Sequence, residues 1–225
     1  RETTMFRRIA QAITSVGLLA LAGSLQALSI PINTFATGEN AGSATVATLS
    51  LNQNGSNVDF RLTNSVGNLG AAANAGTFIS DLGFSYSGSG PLTSASFTGF
   101  GGSGQTISAG DFAINPPGNF QGGYNFALEL GFPTSGRNGG AERFLNGEFV
   151  TWTISNVLLD DFLGPVSGTG GLTLAAVHIQ SLASGNSTTY ISAVPLPAAA
   201  WLFLSALGGL VGVKKLRSRS SAAPA

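Results

Sequence analysis

His178 is the only histidine of the chain, and it lies in Leu174-Ala175-Ala176-Val177-His178-Ile179-Gln180. A Ser-His-Asp triad would have to use it as the general base, with one of many serines and a nearby carboxylate. On a strand, Ala176 and Gln180 share its face, which points to a rim or half-buried structural position. Cysteine is absent, so thiol nucleophiles, thiolate metal sites and disulfide frameworks are excluded together. The one adjacent acidic pair is Asp160-Asp161. Glycoside hydrolysis needs two carboxyls facing each other across about 5–10 Å. Neighbouring side chains diverge by about 100° on a helical turn and by half a rotation on a strand, so these two cannot form one acid/base pair. Glu129, Glu142, Glu148, Asp81 and Asp111 are possible partners, but no spacing selects two of them. A calcium site at Asp160 or Asp161 would need loop carbonyls, and no EF-hand spacing is present. Metal and cofactor ligands are therefore not expected.

Gly99-Phe100-Gly101-Gly102-Ser103-Gly104 satisfies the dinucleotide pattern G-x-G-x-x-G. That pattern works only where the last glycines open a helix onto a pyrophosphate. Gln105-Thr106-Ile107 follows instead, with no acid about 20 residues on, so a glycine-rich loop is expected. Tyr86, Tyr124, Trp152 and Tyr190 could stack on sugars if exposed. Trp152 alternates with Val150 and Ile154, which favours the core.

The elements that would carry these residues have period two. Val58-Asp59-Phe60-Arg61-Leu62-Thr63 alternates apolar and polar, as a half-buried strand must. With residues 44–51 before it, the run reads as a hairpin in which Asn54-Gly55 supplies the positive φ angles of the turn. Further strands are expected over residues 77–86, 92–97, 124–132, 149–155, 172–182 and 188–192. Tyr124, Phe126, Leu128, Leu130 and Phe132 occupy alternate places, so that strand could bury one whole face. The only helical candidate is a turn over 156–162 capped by Ser155. Many short strands with Gly, Pro and Asn punctuation and no βαβ rhythm predict an all-β fold, a single jelly-roll-like β-sandwich over residues 30–193. No repeat of 20–50 residues is visible, which argues against a solenoid.

Charge divides the chain in the same places. Its 225 residues sum to zero formal charge, but residues 30–193 hold three arginines against nine carboxylates, or 3 − 9 = −6, and no lysine. A nucleic-acid footprint needs clustered cations and is excluded for this body. Residues 1–29 sum to 3 − 1 = +2 and residues 194–225 to +4. Met5 is followed by Arg7-Arg8, an apolar run over 9–21 and a small-residue end at 22–27, the layout of a Sec-type signal peptide. Cleavage is expected after Ala27, with Ser29 as the alternative, and the four residues before Met5 stand outside the signal. At the other end, Val194-Pro195-Leu196-Pro197-Ala198 leads into sixteen mostly apolar residues over 198–213. At about 1.5 Å per residue a helix of that length reaches about 24 Å, a marginal transmembrane span for a hydrocarbon core of about 30 Å. Lys214, Lys215, Arg217 and Arg219 follow it and should remain cytoplasmic as stop-transfer charge, leaving the body outside.

The Val-Pro-Leu-Pro-Ala motif, the short span containing Trp201 and the basic tail together resemble the PEP-CTERM sorting signal in its VPLPA variant. The resemblance covers about residues 193–219. It departs from the Pro-Glu-Pro form at Leu196, and residues 220–225 lengthen the tail. Membership implies export by a Gram-negative bacterium that makes exopolysaccharide, and processing by the membrane peptidase exosortase at the proline motif. Val194, Pro195, Leu196, Pro197 and Ala198 would then be the sorting motif. The expected protein is a non-enzymatic component of the cell surface or the extracellular matrix of a biofilm. Its expected partners are the secretory machinery, exosortase, the inner membrane in transit and exopolysaccharide. Two rivals have other signatures: a polysaccharide-active hydrolase would use two of the body's carboxylates, and a glycan-binding module would expose Tyr or Trp along one sheet face.

Overall fold

The computed structural model describes residues 27–135 and 142–194. The chain divides into two compact units, Arg1–Ala193 and Val194–Ala225, and only Val194 of the second lies among the described residues. The first unit is all-β. Its strands are β1 (Ala27–Gly38), β2 (Ala47–Asn54), β3 (Asn57–Asn64), β4 (Phe78–Phe84), β5 (Phe97–Ser103), β6 (Phe112–Ile114) and β7 (Leu128–Gly131). They continue with β8 (Phe144–Leu145), β9 (Phe149–Ser155), β10 (Val166–Gly168), β11 (Gly171–Thr173), β12 (Ala175–Gln180) and β13 (Thr188–Ser192).

Eleven of them form one antiparallel sheet in the order β5-β9-β3-β2-β1-β13-β12-β4-β7-β6, with β8 beside β4, and β10 and β11 make a separate hairpin. The sheet is curled. Phe97 at the start of β5 stacks on Phe112 at the start of β6 with centroids 4.4 Å apart, so the two ends of the strand order meet. An apolar stripe on each strand turns inward. Val58, Phe60 and Leu62 of β3, Val150, Trp152 and Ile154 of β9, and Leu49 and Leu51 of β2 are all buried in one cluster. At its centre Phe60 stacks on Trp152 at 5.1 Å and meets Phe162 edge-on at 5.0 Å. Offset and edge-to-face pairs of this kind add to the burial itself. Among the described residues the Trp152 Nε1 has no hydrogen-bond partner.

The outer face differs along the sheet. β13 is buried at every residue, because a second cluster covers it from outside. Phe120, Tyr124 and Phe126 of the segment before β7 pack there on Ala36, Ala176 and Ile191. Gly83 permits this approach: a Cβ on it would lie 2.3 Å from the Phe126 ring. The Tyr124 hydroxyl accepts a hydrogen bond from the Gly170 N–H at 2.8 Å, tying the β10–β11 hairpin to the same cover.

Several local expectations change. All five alternating residues from Tyr124 to Phe132 are buried, but not on one face of one strand. Tyr124 and Phe126 belong to the outer cluster, Leu128, Leu130 and Phe132 to the inner one, and only Leu128–Gly131 pairs as a strand. The expected strand over 92–97 is a 3₁₀ turn, Ser94–Ser96, and pairing begins at Phe97. The glycine-rich run expected as a loop is the body of β5, because pairing with β9 satisfies a backbone that its side chains do not favour as a strand. In the β2–β3 hairpin Asn54 pairs with Asn57, so Gly55 and Ser56 form the corner. Gly55 alone has positive φ, at 63°, the type II′ pattern in place of the expected Asn-Gly one. The helical turn is a 3₁₀ segment, Leu159–Phe162, and its cap is the Asp161 carboxylate, which accepts from the Leu158 N–H at 2.8 Å, rather than Ser155. Strand β1 was not anticipated, and it starts three residues before the expected boundary at residue 30. Among the described residues no helix is long and apolar enough to cross a membrane; the expected span over 198–213 and residues 1–26 of the expected signal lie outside them.

Candidate functional site

The expected chemical groups are dispersed by the fold. His178 faces outward on β12, half-buried, opposite Asp81 of β4 and Thr189 of β13. Its Nδ1 lies 3.1 Å from the Thr189 Oγ1. Burial lowers the imidazole pKa below its usual value, and the Asp81 charge opposes that shift. Thr189 is 1% exposed, so no substrate reaches its hydroxyl and the trio is a structural contact. Glu129 lies on the same outer face, opposite Gly83, and burial followed by the Asp81 charge raises its pKa.

The other carboxylates mostly staple turns. Asp111 accepts from the Ser108 N–H at 2.7 Å and its hydroxyl at 2.9 Å, and Glu148 accepts from the Leu145 N–H at 2.7 Å. Glu39 accepts from Ser184 Oγ at 2.6 Å and Asn186 Nδ2 at 2.8 Å, which lowers its pKa. Asp160 is exposed beside the capping Asp161. Among the described residues no three of His, Asp and Glu come together as metal ligands. Trp152, Tyr124 and Tyr190 are buried and Tyr86 half-buried, so none of the first three offers a stacking surface.

One groove does gather polar groups, and nothing in the linear pattern pointed to it. It has a volume of about 660 Å³ and lies on the outer face of the first five strands in sheet order, β5, β9, β3, β2 and β1. Antiparallel register sets its rows. Ala27, Asn52, Asp59 and Thr153 are successive cross-strand partners, and Ser29, Ser50, Arg61 and Thr151 form the next row on the same face. Asp59 is fixed at both oxygens, by Thr153 Oγ1 at 2.7 Å and by Asn54 Nδ2 at 3.0 Å. The Arg61 guanidinium carbon lies 3.4 Å from the centroid of the Phe149 ring, a cation–π contact. Bare backbone closes the β5 side. A Cβ at Gly99 would fall 2.8 Å from the Thr153 hydroxyl, and one at Gly101 2.9 Å from that of Thr151. Alternation marked the polar positions of β2, β3 and β9 singly, but which strands stand side by side is a long-range matter.

Of the residues expected to carry export and sorting, Ala27 opens β1, exposed and paired with Asn52, and Val194 is half-buried two residues after β13 ends. A buried network anchors that end: Ser192 Oγ is 2.9 Å from Thr173 Oγ1 and accepts from the Leu174 and Ala175 N–H groups at 3.2 Å. Pro195, Leu196, Pro197, Ala198, Lys214, Lys215, Arg217 and Arg219 lie outside the described residues. Comparison with protein-family models, curated proteins and solved structures returns no match.

Proposed function

We propose that this chain is an exported component of the cell surface or extracellular matrix, acting through structure and interaction rather than catalysis, and processed by exosortase at its C-terminal sorting signal. The observation that carries the proposal is the linear order of a signal segment, an acidic lysine-free body, Val-Pro-Leu-Pro-Ala, an apolar run and a basic tail. The secretory machinery takes the chain across the inner membrane by its N-terminal signal. The C-terminal span and its four cations then hold it there until cleavage near Pro195 and Pro197 releases the body toward the exopolysaccharide. In this picture the curled sheet serves as a jelly-roll-like sandwich. It would need no oxidative folding step, since it has no cysteine.

Support also comes from the end of the sheet. β13 stops at Ser192, so cleavage near the proline motif would leave that strand whole in the mature protein. Cleavage after Ser29 would strip the residues that pair with Ser50, Leu51 and Asn52. The test is the terminal masses of protein recovered from the outer surface. A mature chain starting at Leu28 and ending near the proline motif is expected; an intact C-terminal peptide on that protein would refute the processing.

A further inference from the structure

We propose that the outer groove of β5, β9, β3, β2 and β1 binds a neutral polysaccharide chain. The inference is independent of sorting, because Asp59, Arg61, Thr151 and Thr153 of the groove lie on β3 and β9, away from both cleavage points.

The side chains of the groove suit a polyol better than bulk water. A solvated sheet face is ordinarily covered by long charged residues, which lose much rotamer entropy when a ligand orders them. Here the outward positions are Ser29, Ser50, Asn52, Thr151 and Thr153, short groups that donate and accept at little entropic cost. Two charged groups stand among them, two residues apart on one strand, and both are already oriented. Asp59 is held by Thr153 and Asn54, with lone pairs left to accept from ligand hydroxyls. Arg61 sits over the Phe149 ring, and that ring is its partner among the described residues, so its N–H fork is free to donate. An acceptor and a forked donor about 7 Å apart along a strand can engage hydroxyls of successive sugar units. The volume, about 660 Å³, is that of an ordinary ligand site. Gly99 and Gly101 keep it open, since a side chain at either would cover a threonine hydroxyl.

Charge selects the neutral class. The body carries nine carboxylates against three arginines, so a polyanionic chain would be repelled on approach. Inside the groove Asp59 and Arg61 balance each other, and no net charge calls for a counter-charge on the ligand. With Trp152, Tyr124 and Tyr190 in the core, recognition rests on hydrogen bonds rather than on stacked rings.

The experiment titrates the full chain by calorimetry with cellohexaose, maltohexaose and mannohexaose, and with hexagalacturonate as the acidic arm. Binding of at least one neutral hexasaccharide in preference to hexagalacturonate is expected. Asp59→Asn and Arg61→Gln should each weaken it about tenfold or more, as loss of a hydrogen bond to a charged group does. Gly101→Ala keeps every polar group and crowds the Thr151 hydroxyl, which must shift, so it should weaken binding to a folded chain, with thermal unfolding followed alongside as the control for folding. Absence of binding to all three neutral sugars, a preference for hexagalacturonate, or unchanged affinity in the three variants would each overturn the proposal.

Discussion

Replacing Phe60 by alanine tests the register on which the sheet and its groove depend. Phe60 is 2% exposed and stands between Trp152 at 5.1 Å, Phe162 at 5.0 Å and Phe84 at 5.7 Å. A buried Phe→Ala change costs about 3–5 kcal/mol through lost transfer energy and the cavity left behind. Three rings surround this side chain on two strands and a 3₁₀ turn, so the site cannot collapse easily, and the upper half of that range is expected. Domains are commonly stable by about 5–15 kcal/mol, so about a quarter of the total or more would go. At a urea slope of about 2 kcal/mol/M the midpoint should fall by roughly 2 M. Thr63, three residues on and on the opposite face of β3, is the control. Thr63→Ala should cost about 1 kcal/mol or less, the span of strand propensity at a half-buried outward position. Urea unfolding followed by near-ultraviolet circular dichroism, which reads the packed aromatic cluster, measures both. Equal costs for the two variants, or a Phe60→Ala cost below about 1 kcal/mol, would refute the assignment of the inner face.

Two further outcomes follow from the same core and its cover. Trp152→Phe removes an indole N–H that is buried without a partner, a defect worth about 1–3 kcal/mol. That relief should offset the lost ring area, giving a net change within about 1 kcal/mol by urea midpoint, whereas a loss of several kcal/mol would mean the N–H is bonded. His178 has its pKa lowered in the folded state, chiefly by burial, so the unfolded chain binds its proton first as pH falls. Stability should therefore be constant above about pH 7 and decline as pH drops through 6.5 toward the folded value. Comparing urea midpoints at pH 8 and 5.5, above the main carboxylate range, should show a smaller decline in His178→Gln; an equal decline would assign the effect elsewhere.

Strands whose register is fixed by alternation were legible one at a time. The bounds expected at 149–155 and 188–192 are those of β9 and β13, and the inward placing of Trp152 is what its neighbours predicted. Where local chemistry and long-range pairing disagree, pairing prevailed. Gly101 and Gly102 have no strand preference, yet β9 supplies their ladder, with Gly99 in the irregularity just before them. Tyr124 and Phe126 continue the period of Leu128 and Leu130, yet they cover the opposite face, because the sheet's curl leaves Ala176 and Ile191 to be buried from outside. β1 went unread because its first residues lie against the small-residue end of the apolar run expected as a signal, where composition speaks of cleavage rather than pairing.

By itself the sequence determined what one-dimensional chemistry can carry. The absence of cysteine and of lysine in the body, the opposed charges of body and ends, the apolar run with its basic tail and the period of each strand are all properties of consecutive residues. The tertiary structure alone decided what depends on neighbours distant in the chain. Asp59 meets Thr153 across 94 positions, and Ser29, Ser50, Arg61 and Thr151 share one row, only because β1, β2, β3 and β9 stand side by side in the sheet. Strand order is chosen by how the whole apolar surface can be closed around one core. No single segment contains that information, and the groove exists only after the choice is made.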